Sequence, residues 1–192
     1  SQIRQQLQYF HDAGFQALSL PDLGRLLRAG EPLPLKSAVF TIDDGFIDQH
    51  DIAGPLFSEF DIPLTYFLVT GFIDGDIWPW DDQLSYAVKH ATDGDYRVEL
   101  DSGYIDFDLN DHAARQHALV SIRARLKQDS NSNIYRTIES IYDQLGVERS
   151  VKAPQQHTPM RWDQAERLTR DGHDVAAHTC THRILSRLDD TE

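Results

Sequence analysis

The chain is poor in sulfur: one cysteine, Cys180, and one methionine in 192 residues. A single cysteine excludes an intramolecular disulfide, so nothing in the covalent framework points to an oxidising compartment. Positive charge is also scarce, with 18 Lys and Arg against 31 Asp and Glu and a net charge of −13. Nucleic acid and anionic membrane surfaces need a basic face, and this balance argues against either as the main partner. No apolar run approaches the ~18–20 residues of a membrane span. There is no Gly-rich phosphate loop, no internal repeat and no low-complexity segment. Ser1–Gln6 is polar and does not read as a signal peptide; residue 1 is not Met, and no compartment is assigned. What is present is ordinary globular material, 40% hydrophobic and 26% charged, enough for one domain with a substantial core.

Ile3, Leu7 and Phe10 have helical spacing, with Gly14 as the stop. A short strand is expected at 15–20, then a helix opened by Pro21-Asp22 and stopped by Gly30, then an apolar strand over 38–42. A helical stretch from about 48 to 60 contains Pro55, which either kinks it or starts a second segment. Thr65-Tyr66-Phe67-Leu68-Val69 reads as a strand buried on both faces. Strand, helix and strand form a βαβ unit, so the sheet should be parallel there. Residues 71–80 read as a loop and 82–90 as a helix. Alternation over 96–109 around Asp101-Ser102-Gly103 predicts a hairpin. Helices follow at 111–128 and 134–145. The block 81–157 interrupts the βαβ rhythm and reads as an insertion. A helix at 163–170 then leads into a strand at 173–177.

Two polar clusters stand at the carboxyl ends of predicted strands, where loops of α/β folds build sites. The first is Asp43-Asp44-Gly45, directly after Phe40-Thr41-Ile42. Two adjacent carboxylates resist joint ionisation and need a positive partner. The second is His178-Thr179-Cys180-Thr181-His182. On a strand these two histidines would lie ~13 Å apart; on a helical turn their Cβ atoms come within ~5–6 Å. One divalent ion shared by both clusters therefore requires the chain to turn directly after His178. Two imidazoles and a carboxylate with an open position are the usual plan of a catalytic zinc site. On a regular strand Asp43 and Asp44 face opposite ways. One would then ligate while the other faces the activated water as base, which is machinery for hydrolysis of an amide or ester. Taken alone, each cluster is weak: Asp-Asp-Gly is commonly a turn, and His-x-x-x-His arises by chance in a chain with nine histidines. Trp78, Trp80 and Trp162 read as packing residues, Cys180 as small and at least half-buried, and His11, His50, His90, His112, His117, His157 and His173 as structural or exposed.

Together the clusters resemble a known family. Thr41-Ile42-Asp43-Asp44-Gly45 resembles the T-F-D-D-G motif of the polysaccharide deacetylases (NodB-homology, carbohydrate esterase family 4), with Ile42 for the usual Phe. His178-Thr179-Cys180-Thr181-His182 resembles their H-[ST]-x-x-H motif, and Pro63–Gly71 their P-A-T-F-F-V segment. The resemblance implies a distorted (β/α) barrel of the deacetylase type, here incomplete, carrying the inserted hairpin and helices. It implies that Asp44, His178 and His182 bind a divalent metal, zinc or a similar ion. Asp43 would be the base acting on water at that metal, and Thr179 would steady the histidine turn. The reaction would be removal of N-acetyl groups from an N-acetylhexosamine polysaccharide or oligosaccharide. The family's arginine and general-acid histidine motifs have no counterpart here, since the chain ends ten residues after His182. The expectation is one deacetylase-like domain over 1–192, with its C-terminal part absent. An unpaired sheet edge would invite pairing with a second copy, so a homo-oligomer stays open. Two other functions fit the same residues: hydrolysis of a small amide, and metal or glycan binding without turnover.

Overall fold

The computed structural model describes residues 1–128, 133–150 and 152–188. In chain order, α1 (Gln2–Asp12) is capped by the Ser1 hydroxyl and precedes β1 (Gln16–Ala17). Helix α2 (Leu20–Ala29) is capped by Ser19 with Pro21 in its first turn, where a missing N–H costs nothing. The apolar run expected as one strand is two. Ser37–Ala38 is β2, paired parallel to β1, and Phe40–Asp44 is β3, paired parallel to β4 (Leu64–Leu68). Val39 changes sheets, which hydropathy cannot reveal because the residues on either side of it, Ala38 and Phe40, are both apolar. Pro55 starts a new segment: a wide helical turn, Gln49–Ala53, gives way to α3 (Gly54–Ser58) with Pro55 in its first turn. After β4 the expected loop begins instead with a short helix, α4 (Thr70–Ile73).

Helix α5 (Trp80–His90) follows, then the antiparallel hairpin of β5 (Asp95–Leu100) and β6 (Gly103–Asp108), whose two-residue connection is Asp101-Ser102. Helices α6 (His112–Gln128) and α7 (Ile134–Leu145) come next. Helix α8 (Trp162–Arg170) then leads into β7 (Asp174–Ala177), which pairs parallel to β4.

The chain divides into two compact units, Ser1–Asp76 with Gln155–Thr181 and Ile77–Pro154 with His182–Glu192. In the first, the sheet order is β3-β4-β7, so β4 lies in the middle. Tyr66 and Leu68 are fully buried, and the core around them includes Leu7, Leu56, Leu64, Met160 and Leu168. Phe10, Phe40 and Phe57 meet edge to face at 5.2 and 5.5 Å. The second unit has its own core, with Leu84, Val98, Leu109, Ile122, Ile138 and Tyr142 at its centre. This is a mixed α/β fold. The described strands form sheets of two, three and two strands and do not close into a barrel. No helix among the described residues is long and apolar enough to cross a membrane.

Candidate functional site

Strand β4 sets the frame. Asp44 is in register with Leu68, and Leu68 with Ala177. The ladder runs on for one more step on each side: Val69 N–H donates to the Asp44 carbonyl at 3.1 Å and His178 N–H to the Leu68 carbonyl at 2.7 Å. Strands lie ~4.8 Å apart, so Asp44 and His178 start roughly 10 Å apart in backbone, on either side of β4. Their side chains close that gap over the strand end, bringing His178 Nε2 to 3.8 Å from Asp44 Oδ1.

Asp44 achieves this by leaving strand geometry. Its φ is +82°, and Gly45 follows at +95°. A left-handed non-glycine residue costs roughly 1–2 kcal/mol and persists only where its surroundings hold it. Three things hold it. The Gln49 side chain clamps the turn at both ends, its Nε2 donating to the Asp43 carbonyl at 2.6 Å and its Oε1 accepting from Gly45 N–H at 3.1 Å. Met160 N–H donates to the Gly45 carbonyl at 2.8 Å, and Ile47 N–H to that of Thr158 at 2.9 Å. Gln49 is itself fixed, because the Tyr66 hydroxyl donates to its carbonyl at 3.1 Å. Burial pushes the Tyr66 phenol up from its ordinary pKa, so it remains a donor. Asp43, by contrast, is exposed while Asp44 is half-buried.

The chain does turn after His178, although not as a helix. Thr179 and His182 both have left-handed φ, +67° and +52°. The first N–H groups of a helix have no partner within it, and α4 uses two of them here. Thr70 N–H donates to the Thr179 carbonyl at 3.1 Å and Gly71 N–H to that of Cys180 at 2.9 Å. The segment expected to be a loop is thus what pins the histidine turn, and Thr179 contributes through its backbone. In the second unit, Trp80 Nε1 donates to the His182 carbonyl at 3.2 Å, and His182 Nδ1 lies 3.8 Å from Asp81 Oδ1.

Asp44, His178 and His182 offer one carboxylate and two imidazoles, a donor set that could hold a metal ion. Imidazole nitrogens with a carboxylate oxygen suit a borderline ion such as zinc. Cys180 is outside that group and is exposed, not half-buried as expected. Trp78 and Trp80 are buried as packing residues, but Trp162 is 48% exposed and donates Nε1–H to Asp74 Oδ1 at 2.7 Å. Of the histidines set aside, His173 is the buried one, held between the Ser58 hydroxyl and Leu64 N–H. Gln49 and Asp81 were missed from sequence. The only available signals were a glutamine four residues after Gly45 and a carboxylate after Trp80, and neither pattern is distinctive.

A strand-end carboxylate beside a strand-end imidazole in an α/β fold is an arrangement that can share a metal ion or move a proton. The polysaccharide deacetylase family model matches residues 30–192. The chain belongs to the polysaccharide deacetylase family. It is 29% identical over 87 residues to the poly-β-1,6-N-acetyl-D-glucosamine N-deacetylase of Escherichia coli K12, covering 45% of this chain and 12% of that protein. Among solved structures it resembles Streptococcus pyogenes deacetylase PplD in complex with acetate, at 16% identity and a TM-score of 0.50, over 97% of this chain and 47% of that one. The deacetylase domain of BpsB from Bordetella bronchiseptica aligns at 16% identity and a TM-score of 0.45, over 91% and 42% of the two chains. The chain therefore spans about half of the PplD chain and a much smaller share of the curated relative.

Proposed function

We propose that the chain carries the metal-holding site of an N-deacetylase acting on an acetylated hexosamine polysaccharide. Asp44, His178 and His182 would hold one divalent ion, zinc in this reading. Such an ion supplies a Lewis acid for the amide carbonyl and lowers the pKa of water. Asp43, exposed beside Asp44, accepts the proton of the attacking water as general base. Thr179 keeps the histidine turn in place through its carbonyl. Residues 1–192 are read as one deacetylase-like domain of distorted-barrel type, with 81–157 as its inserted segment.

The observation that carries this reading is the approach of His178 to Asp44 over the end of β4. Family membership and the curated relative's named substrate support the polysaccharide class. The test pairs zinc calorimetry with acetate release from β-1,6-linked N-acetylglucosamine oligomers. One zinc site in the chain, lost in His178→Ala, with acetate release lost in Asp43→Asn at unchanged zinc affinity, is the expected result. Acetate release that survives Asp43→Asn would remove Asp43 from the base role. Turnover of a small cyclic amide in place of the oligomer would move the substrate class.

A further inference from the structure

Asp81 sits in the first turn of α5, beside Trp80, in the same unit as His182. Its main chain is well fixed: the Ser85 hydroxyl donates to its carbonyl at 2.8 Å, and Arg123 Nη2 bonds both that carbonyl and the Ser85 hydroxyl. Its side chain is different. Oδ1 is buried and accepts no hydrogen bond among the described residues, yet it lies 3.8 Å from His182 Nδ1. A buried carboxylate oxygen without a donor is unfavourable, and the donor it faces is an imidazole. The neighbouring Trp80, 3% exposed, holds the carbonyl of that same histidine. Two consecutive residues of one helix start thus grip one histidine, one through its backbone and one towards its ring.

We propose that Asp81 is a positioning residue for His182: its carboxylate accepts the Nδ1–H of the ring, selecting the tautomer that leaves Nε2 free to ligate. This rests on the metal reading given above and adds to it the residue that orients the third ligand. A histidine whose second nitrogen donates to a carboxylate is fixed in rotation and made more basic at the ligating nitrogen. Only about 1 Å of closure separates the present spacing from a charge-assisted hydrogen bond. The tautomer is a property of the protein without any ion, so it can be read before a metal is added.

The experiment uses the whole chain labelled with nitrogen-15, free of metal, at a pH where histidines are neutral. The ring-nitrogen shifts of His182 are assigned by their loss in His182→Gln. The expected result is an Nδ1–H tautomer in the unaltered protein, kept in Asp81→Glu and shifted towards Nε2–H in Asp81→Ala. Zinc affinity should fall 10–100-fold in Asp81→Ala and recover in part in Asp81→Glu. Should Asp81→Ala lose its near-ultraviolet dichroism, Asp81→Leu, which keeps about the side-chain volume and has no acceptor, is read in its place. An Nε2–H tautomer in the unaltered protein, or an unchanged zinc Kd without the carboxylate, overturns the inference and leaves the metal site standing. Absence of any zinc site in the unaltered protein overturns both.

Discussion

Gly45 is the tightest position beside the site, and Gly45→Ala has an outcome that can be worked out from its surroundings. A Cβ built there would meet Ile73 Cδ1 at 2.7 Å and Leu68 Cδ2 at 3.0 Å, and the backbone stands at φ +95°. The left-handed backbone alone costs a side-chain-bearing residue roughly 1–2 kcal/mol. Forcing a methyl into a filled core adds roughly 1–3 kcal/mol, because the Leu68 and Ile73 side chains are buried and cannot swing into solvent. The sum is a loss of about 2–5 kcal/mol, read as a lower denaturation midpoint at unchanged slope in guanidinium or urea. The two contributions separate in a double-mutant cycle with Ile73→Val, which deletes the nearer atom and alone costs about 0.5–1.5 kcal/mol. Gly45→Ala/Ile73→Val should be less destabilised than the sum of the singles by about 1–2 kcal/mol, the remainder being backbone strain. Strict additivity, or a Gly45→Ala protein within about 0.5 kcal/mol of the original, would refute the argument from steric closure. Because Gly45 follows Asp44, zinc affinity should fall in the single mutant and return partly in the double.

Three further outcomes follow from particular contacts. Thr70→Pro removes the N–H that Thr179 accepts from; a loss of about 1–3 kcal/mol and a weaker zinc site should appear in calorimetry, whereas unchanged affinity would free the histidine turn from α4. Burial lowers the pKa of His173, with the Gly54 carbonyl, Asp171 and Asp174 opposing more weakly, and Leu64 N–H donates to its Nδ1, so a ring proton there would face a donor. As pH falls below the unfolded value of about 6.5, the unfolded chain takes up a proton that the folded one resists. Stability should therefore drop by up to about 1.4 kcal/mol per pH unit, a slope that His173→Gln should flatten in urea titrations between pH 5 and 7. Ile138→Ala, at a fully buried position of the second unit, should cost about 2–5 kcal/mol; a change under 1 kcal/mol in thermal or chemical melts would contradict that core.

Much of the secondary structure could be read from sequence because it rests on local signals. Helix α7 shows a single apolar stripe, and the hairpin alternates around a turn. Strand β4 is β-branched, aromatic and aliphatic throughout, as a strand covered on both faces should be. The two motifs were also visible, and their strand-end placement suggested that the two clusters meet; the choice of Asp44 over Asp43 came only from the family resemblance. What could not be read depends on contacts distant in sequence. The change of sheet at Val39 is invisible because the residues on either side of it, Ala38 and Phe40, are both apolar. Helix α4 has only four residues, too few for a period, and its N–H groups find partners more than a hundred residues away. The histidine turn comes from two left-handed residues, Thr179 and His182; β-branched threonine disfavours that conformation, and histidine adopts it too seldom for sequence to place it. Trp162 was misjudged for a related reason: its indole N–H reaches Asp74 from a half-exposed position, and composition says nothing about which tryptophans have such an outlet.

The central place of β4 gives this protein a fixed gauge. Asp44 and His178 are far apart in the chain, yet each is indexed to the same strand through main-chain hydrogen bonds ending at Val69 and Leu68. Their spacing is therefore indifferent to how much polypeptide runs between them. Material can be added to or trimmed from the intervening segment without resetting the distance, provided that the three-strand ladder stays in step. The same arrangement makes the amides of Val69 and His178 natural reporters of the site. Anything that bridges Asp44 and His178 splices β3 to β7 across β4, and exchange of those two amides with solvent should slow accordingly.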